Sequence, residues 1–139
     1  MLAFATLFLL QNPEAYRKVQ AEVDEVVGSA PIEDRHLKQF KYIDAALRES
    51  LRLAPTAPRI AKVISKEKRG DIVTLGGKYK IEPDQVVTVL LAKAMSDPRV
   101  FGDDAKEFKP ERMHEHSPDY ERVSKYFKVR KRKSQRTRC

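Results

Sequence analysis

The first ten residues form an apolar run, with no charged side chain between Met1 and Leu10. A spanning helix needs about 20 apolar residues, so this run is too short to cross a bilayer. A secretory signal is the alternative, but no basic residues precede the run and no small-residue cleavage site follows it. A helix that is apolar on all sides is usually buried inside a larger structure, and the sequence favours that interpretation.

Two longer helices are predicted after this run. Asn12 and Pro13 are typical of a helix start, with Asn at the N-cap and Pro at the first helical position. Gly28 is a typical stop for that helix. The next helix is predicted over about 40–53, because apolar residues recur there at helical spacing and two prolines follow. A short helical turn is expected between them, over 32–37.

The pattern then changes to β-branched runs of strand length. Turn residues separate these runs, including Gly76-Gly77 and Pro83-Asp84. The predicted strands are 60–64, 72–75 and 86–91. A loop with isolated apolar anchors at Val100, Phe101 and Phe108 is expected over 97–110. Helices followed by a small antiparallel sheet predict a mainly α fold of the α+β class.

Charge divides the chain into two unequal parts. The chain has 28 Lys and Arg against 20 Asp and Glu, which gives a net charge of +8. Eight of these cations and none of the acids lie in residues 125–139, so residues 1–124 are neutral. A self-repelling block with little apolar surface is expected to be disordered. We therefore predict a folded domain over 1–124 and a basic, disordered tail over 125–139.

Glu49 and Arg52 lie three residues apart on the predicted helix 40–53, so their side chains share a face and can pair. The pair alone is a weak signal, because exposed helices contain many such pairs of little energetic value. The order of segments that follows is more informative. A proline-rich stretch leads to Arg59, a glycine turn follows at Gly76, and Pro110-Glu-Arg112-Met113 closes the series.

This ordered series resembles the C-terminal half of a cytochrome P-450, a heme-thiolate monooxygenase, over about residues 1–113. Glu49-Ser-Leu-Arg52 is similar to the family's E-x-x-R of helix K, and Pro110-Glu-Arg112-Met113 is similar to its P-E-R-F segment. The segments around Pro55 and Gly76 look most like the fungal self-sufficient branch, in which the heme domain is fused to an NADPH-dependent reductase. The resemblance implies a partial P-450 fold, from the end of helix I through the P-E-R-F-like segment.

The resemblance also implies a structural triad of Glu49, Arg52 and Arg112. A carboxylate held by two guanidinium groups can be buried, and it would fix helix K to the segment before the cysteine loop. The triad performs no redox chemistry, so no catalytic residue is expected within it. Arg59 corresponds to the position where many relatives place an arginine on a heme propionate. An exposed strand cation is the alternative interpretation of Arg59.

The activity that the resemblance implies is heme-dependent hydroxylation of a hydrophobic substrate, often a fatty acid in the fungal branch. Electrons from NADPH pass through FAD and FMN of a P-450 reductase to the heme iron, where dioxygen is split. The implied cofactor is therefore heme b, with FAD, FMN and NADPH on the reductase. The implied partners are the substrate and that reductase. With no transmembrane segment, we expect the chain in the cytoplasm or on the cytoplasmic face of a membrane.

The sequence departs from the family pattern at three points. Residues 1–13 resemble only the end of helix I, without the acid–Thr pair that steers oxygen activation. Met95-Ser96 stands where relatives usually have a His-Arg pair. The heme loop F-x-x-G-x-R-x-C-x-G is absent, and the single cysteine, Cys139, follows no glycine-rich turn, so it is not expected to be the axial ligand. We therefore expect a truncated chain that is inactive and binds no heme by itself.

Two hypotheses concern the basic segment 125–139. In the first, a frameshift or misjoined exon between Tyr126 and Val129 replaced the heme loop. In the second, the chain is a small basic interaction protein whose tail binds nucleic acid or acidic surfaces through counterion release. The segment has two aromatic residues and no recognisable module that reads nucleic-acid sequence, so nucleic-acid binding is the less favoured function.

Overall fold

The computed structural model describes residues 1–63, 73–115 and 117–127; predictions that fall on 64–72, 116 or 128–139, Cys139 among them, lie outside the described residues. The helices are α1 (Leu2–Gln11), α2 (Pro13–Val26), α3 (Asp34–Leu37), α4 (Lys41–Leu53), α5 (Leu91–Ala94), α6 (Pro98–Phe101), α7 (Pro118–Phe127) and a 3-10 helix (Pro110–Met113). The strands are β1 (Arg59–Val63), β2 (Val73–Leu75), β3 (Tyr79–Ile81) and β4 (Val86–Leu90). The predicted fold class, mainly α with a small antiparallel β component, is confirmed.

Helix α1 is the apolar run at the start of the chain, and most of its side chains are exposed. Ala5 is buried, whereas Leu2 and Leu10 are 70% and 67% exposed. Phe8 stacks on the ring of Phe108, with 5.3 Å between the ring centroids. Neither α1 nor any other helix in the described ranges is long and apolar enough to cross a membrane.

Proline and glycine set the limits of α2, as predicted. Pro13 occupies the first helical position after the N-cap residue Asn12. Gly28 lies just past the end of the helix with a φ of 61°, a left-handed conformation that favours glycine. The Asn12 side chain does not cap α2, however, because its Nδ2 donates to the Phe8 carbonyl at 2.7 Å in the last turn of α1. Asn12 therefore links the two helices.

Helix α4 lies at the centre of the helical part and packs against α1, α2 and the 3-10 helix. Its small buried residues Ala45 and Ala46 allow these neighbours to approach closely. Glu49 and Arg52 are also buried, although both side chains are charged. A buried charge is stable only with partners, so the face of α4 that holds these two residues is the place to look for specific chemistry.

The β component consists of two separate two-stranded antiparallel sheets. Strand β1 pairs with β4, with Arg59 opposite Leu90 and Val63 opposite Val86. Strand β2 pairs with β3 across the Gly76-Gly77 turn, in which both glycines have positive φ. Strand β3 was not predicted, because its sequence, Tyr-Lys-Ile, is not a run of β-branched residues.

The segment 97–110, predicted as a loop, contains the short helix α6. Asp97 caps this helix, since its carboxylate accepts a hydrogen bond of 3.0 Å from the backbone N–H of Arg99. Of the predicted anchors, Phe101 is completely buried and Phe108 is half-buried. The loop is therefore held in place by its aromatic side chains and by a local cap.

Helix α7 was not predicted and completes the packing around Phe101. Phe101, Ala105 and Val123 form a buried apolar cluster between α7 and the segment that precedes the 3-10 helix. Helix α7 ends at Phe127, three residues into the range predicted as a tail. The remainder of that tail lies outside the described residues, so its disorder stays a prediction.

Candidate functional site

Three buried charged side chains from two elements meet at the carboxyl-terminal half of α4. Glu49 and Arg52 project from the same face of α4, one turn apart. Arg112 comes from the 3-10 helix, which begins at Pro110 after an extended residue. The side chains of all three are at most 1% exposed. The structure thus brings together the three residues that the sequence singled out as a triad.

Glu49 accepts four hydrogen bonds, which occupy both of its carboxylate oxygens. Arg52 binds it in a bidentate manner, with Nε to Oε2 and Nη2 to Oε1 at 2.8 Å each. Arg112 Nε donates to Oε1 at 3.4 Å, and the backbone N–H of Lys109 donates to the same oxygen at 3.2 Å. Bidentate pairing with arginine is the strongest of these interactions, because both donors are charged and aligned with the carboxylate plane.

The remaining N–H donors of Arg52 bind backbone carbonyls of the segments that follow α4. Its Nη1 donates to the carbonyls of Met95 and Ala105 at 2.7 and 2.6 Å. Its Nη2 also donates to the Glu107 carbonyl at 3.2 Å. The guanidinium lies over the Phe101 ring, 4.8 Å from its centroid. One side chain on α4 therefore fixes three points along the irregular segment between β4 and the 3-10 helix.

Arg112 has a similar set of acceptors and adds a fourth charged residue to the site. Its Nη1 donates to the Phe101 carbonyl at 2.5 Å. Its Nη2 lies 3.0 Å from Asp104 Oδ1 and also donates to the Asp104 carbonyl at 3.1 Å. The two guanidinium groups are thus balanced by two carboxylates. We call Glu49, Arg52, Asp104 and Arg112 the Glu49 cluster.

Asp104 lies at the edge of the Glu49 cluster, where Lys109 also reaches it at 3.1 Å. Partial burial opposes ionisation of Asp104, but hydrogen bonds from Lys109 and Arg112 outweigh it and hold the pKa of Asp104 below its ordinary value. Asp104 is therefore a carboxylate at neutral pH and supplies the second negative charge.

The hydrogen bonds of the Glu49 cluster hold three segments of the chain together. Both oxygens of Glu49 already accept N–H donors. Among the described residues, no buried side-chain nitrogen or oxygen atom lacks a hydrogen-bond partner. Glu49, Arg52 and Arg112 are thus fully paired and closed to solvent, whereas Asp104 is partly exposed.

Arg59, the other residue singled out from the sequence, takes no part in the Glu49 cluster. It is the first residue of β1, where it is exposed and opposite Leu90. Asp104 was missed by the sequence reasoning, because a carboxylate in an irregular loop has no periodicity that points to its partner. The adjacent acidic pair Asp103-Asp104 was the available signal, and it does not tell which of the two turns inward.

Comparison with known proteins identifies the class. The family model described as Cytochrome P450 matches residues 1–128 of the chain. The chain therefore belongs to the cytochrome P450 family. The predicted resemblance is confirmed, and it extends through α7.

The most similar curated proteins include three fungal enzymes with related names. A bifunctional cytochrome P450/NADPH–P450 reductase from Acremonium egyptiacum is 47% identical over 114 residues, and a self-sufficient cytochrome P450 monooxygenase from Aspergillus niger is 50% identical over 113. A bifunctional cytochrome P450/NADPH–P450 reductase from Fusarium oxysporum is 49% identical over 113 residues. Each match covers 81% of this chain and 10–11% of the relative. The chain spans about a tenth of the length of these relatives.

The cytochrome P450 family implies a heme cofactor. A P450 heme iron needs a cysteine thiolate as its axial ligand, and the described residues contain no cysteine. They also contain no group of three or more His, Cys, Asp or Glu side chains that could hold a metal ion. Cys139 lies outside the described residues. The described residues by themselves therefore do not fit a heme-iron site.

Proposed function

We propose that this chain serves as a structural segment of a heme-dependent monooxygenase that hydroxylates a hydrophobic substrate. The names of its relatives support this, since they describe P450 monooxygenases joined to an NADPH–P450 reductase. By that likeness, heme b would be the cofactor. Electrons would come from NADPH through the FAD and FMN of the reductase, and the cytoplasm is the proposed location.

The observation that carries the proposal is the Glu49 cluster. In this proposal, Glu49 and Arg52 lock α4 to the loop that contains Phe101 and Ala105, while Arg112 adds the 3-10 helix to the same lock. Three segments that are distant in sequence are thereby held at one buried point. A lock of this kind would keep the segment that follows the 3-10 helix at a defined place relative to α4.

We infer that the 139 residues by themselves are inactive in this function. The sequence that precedes Cys139 is Lys-Ser-Gln-Arg-Thr-Arg, which has neither the glycine nor the phenylalanine of the heme loop. A thiolate ligand needs backbone N–H donors around its sulfur to set the properties of the iron. Arg59 is proposed to face a heme propionate when a heme is bound, because it is a cation exposed on β1 with no role in the Glu49 cluster.

A chimaera tests the proposal directly. The 113 matching residues of the Aspergillus niger monooxygenase are replaced by those of this chain, and heme binding is read from the ferrous–CO Soret band. We expect a thiolate-type spectrum from the chimaera and none from the 139-residue chain mixed with heme. A matched chimaera that carries Arg112→Lys controls for the Glu49 cluster and should incorporate less heme.

Two results would contradict the proposal. A folded chimaera without the thiolate-type spectrum would show that this segment cannot serve in a P450 heme domain. The thiolate-type spectrum in the 139-residue chain itself would show that the inferred inactivity is wrong. No observation favours the alternative of nucleic-acid binding through residues 125–139, most of which lie outside the described residues.

A further inference from the structure

Helix α4 begins without a capping side chain of its own. Its N-cap residue is Phe40, which has no side-chain acceptor, and no side-chain hydrogen bond from the N-cap is present. The first backbone N–H groups of a helix have no partner within the helix and need an acceptor from elsewhere. Ser, Thr, Asp or Asn usually supplies that acceptor at the N-cap. In α4 the acceptor comes from a different helix.

Glu22 of α2 accepts hydrogen bonds from two of the backbone N–H groups in the first turn of α4. Its Oε1 accepts from the backbone N–H of Tyr42 at 2.7 Å, and its Oε2 accepts from that of Ile43 at 2.8 Å. A carboxylate at this end of a helix also interacts favourably with the helix dipole. We infer that Glu22 is a positioning residue for α4, a cap supplied by the neighbouring helix from 20 residues upstream.

The side chain of Tyr42 ties the same turn to a third element. Its hydroxyl donates to Glu111 Oε1 at 3.1 Å, and Glu111 lies in the 3-10 helix beside Arg112. Lys18 of α2 pairs with the same Glu111 oxygen and lies over the Tyr42 ring, 5.6 Å from its centroid. Burial and the Glu111 carboxylate raise the pKa of Tyr42, so its hydroxyl remains a proton donor. The first turn of α4 therefore contacts both α2 and the 3-10 helix through specific hydrogen bonds.

These contacts complement the Glu49 cluster at the other end of α4. Glu49 lies seven positions after Tyr42, about 10 Å further along the helix, so α4 is held near its start by Glu22 and near its end by Arg112. A helix held at both ends can neither slide nor rotate, and this fixes where Glu49 and Arg52 meet Arg112. The inference rests on the proposed role of the Glu49 cluster, which it deepens.

Residue-resolved hydrogen exchange of the 139-residue chain tests the inference. Glu22→Gln keeps the size of the side chain but removes the charge and one acceptor. We expect exchange at the Tyr42 and Ile43 amides to accelerate about tenfold, in line with the usual loss of a cap. The amide at Ser50, late in α4, should exchange at its original rate. Glu25→Gln, an exposed site on the same helix α2, is the matched control and should change none of these rates.

A second variant and a local comparison keep the inference falsifiable. Glu22→Asp retains the charge but withdraws the carboxylate by one methylene, and it should accelerate the same two amides. Unchanged exchange at Tyr42 and Ile43 in both variants would overturn the inference. Equal acceleration at Tyr42, Ile43 and Ser50 would also overturn it, since that pattern indicates a loss of overall stability only. Neither result depends on heme, so a failure here is distinguishable from a failure of the chimaera.

Discussion

At the scale of single residues, Arg112 makes hydrogen bonds in three directions that only a planar guanidinium can provide together. It reaches the Glu49 carboxylate, the Phe101 carbonyl and Asp104 at distances between 2.5 and 3.4 Å, with its side chain fully buried. Lysine carries the same charge, but its three donors radiate from a single nitrogen. A lysine at position 112 would leave at least one buried acceptor unpaired.

Arg112→Lys is therefore expected to lower the free energy of unfolding by about 1–3 kcal/mol, the cost of one unsatisfied buried acceptor. Urea unfolding of the 139-residue chain measures this change. The same substitution at Arg48, whose exposed pair with Asp44 joins positions one turn apart on α4, is the control. It should change the free energy by less than about 0.5 kcal/mol. Equal losses at the two sites would contradict the argument from burial.

The sequence singled out part of this site and could not single out the rest. Glu49, Arg52 and Arg112 could be selected because their motifs and order resemble a known family. Asp104 and Glu22 could not, because each pairs with a residue that only the folded chain brings near. A loop carboxylate and a carboxylate on an amphipathic helix look like ordinary surface charges until their partners are known.

At the scale of elements, the irregular segment before the 3-10 helix owes its order to Phe101. The ring is completely buried, with Ala105 and Val123 on its apolar side. The Arg52 guanidinium covers the ring on another side, and the Phe101 carbonyl accepts from Arg112. One residue thus joins the apolar cluster under α7 to the charged cluster on α4.

Phe101→Ala is expected to destabilise the chain by about 3–5 kcal/mol, the usual cost of removing a buried phenylalanine ring. Hydrogen exchange within α7 should accelerate more than exchange within α2, since α7 loses the surface on which it packs. Leu75→Ala, at a side chain that is 54% exposed in β2, is the control and should change the urea midpoint little. Unchanged protection of α7 in Phe101→Ala would show that the helix does not depend on this contact.

The elements that the sequence predicted are those whose pattern repeats within the element. Helices α2 and α4 and strands β1 and β4 have enough residues to show a period, and proline or glycine marks where the helices stop. Strand β3 has three residues, and α7 has a polar sequence. Helix α7 packs where Val123 contacts Phe101, which lies 22 positions earlier in the chain. A contact between residues so distant in sequence produces no periodic pattern within α7.

At the scale of the whole molecule, the described residues leave two apolar faces uncovered. One face is on α1, where Leu2, Phe4, Leu7 and Leu10 are between 46% and 70% exposed. The sheet of β1 and β4 is the second such surface: Val63, Val86 and Leu90 are exposed on one of its sides, and Ile60 and Val89 on the opposite side. Contiguous exposed apolar surface of this kind promotes association with other surfaces.

We therefore expect the 139-residue chain to self-associate, with a sedimentation coefficient that rises with protein concentration. The double substitution Leu2→Glu and Leu10→Glu should reduce this dependence, because it removes apolar area from the α1 face while α1 keeps its helical length. Adding the same two charges on the exposed face of α2, through Gln20→Glu and Ala21→Glu, controls for net charge and should reduce association less. Equal reduction of self-association by the two pairs would mean that charge repulsion is the cause and that the α1 face is not the contact. If neither pair reduces self-association, the sheet of β1 and β4 is the remaining candidate for the contact surface. The α1 face is identified as the contact when the Leu2→Glu and Leu10→Glu pair reduces association more than the α2 pair does.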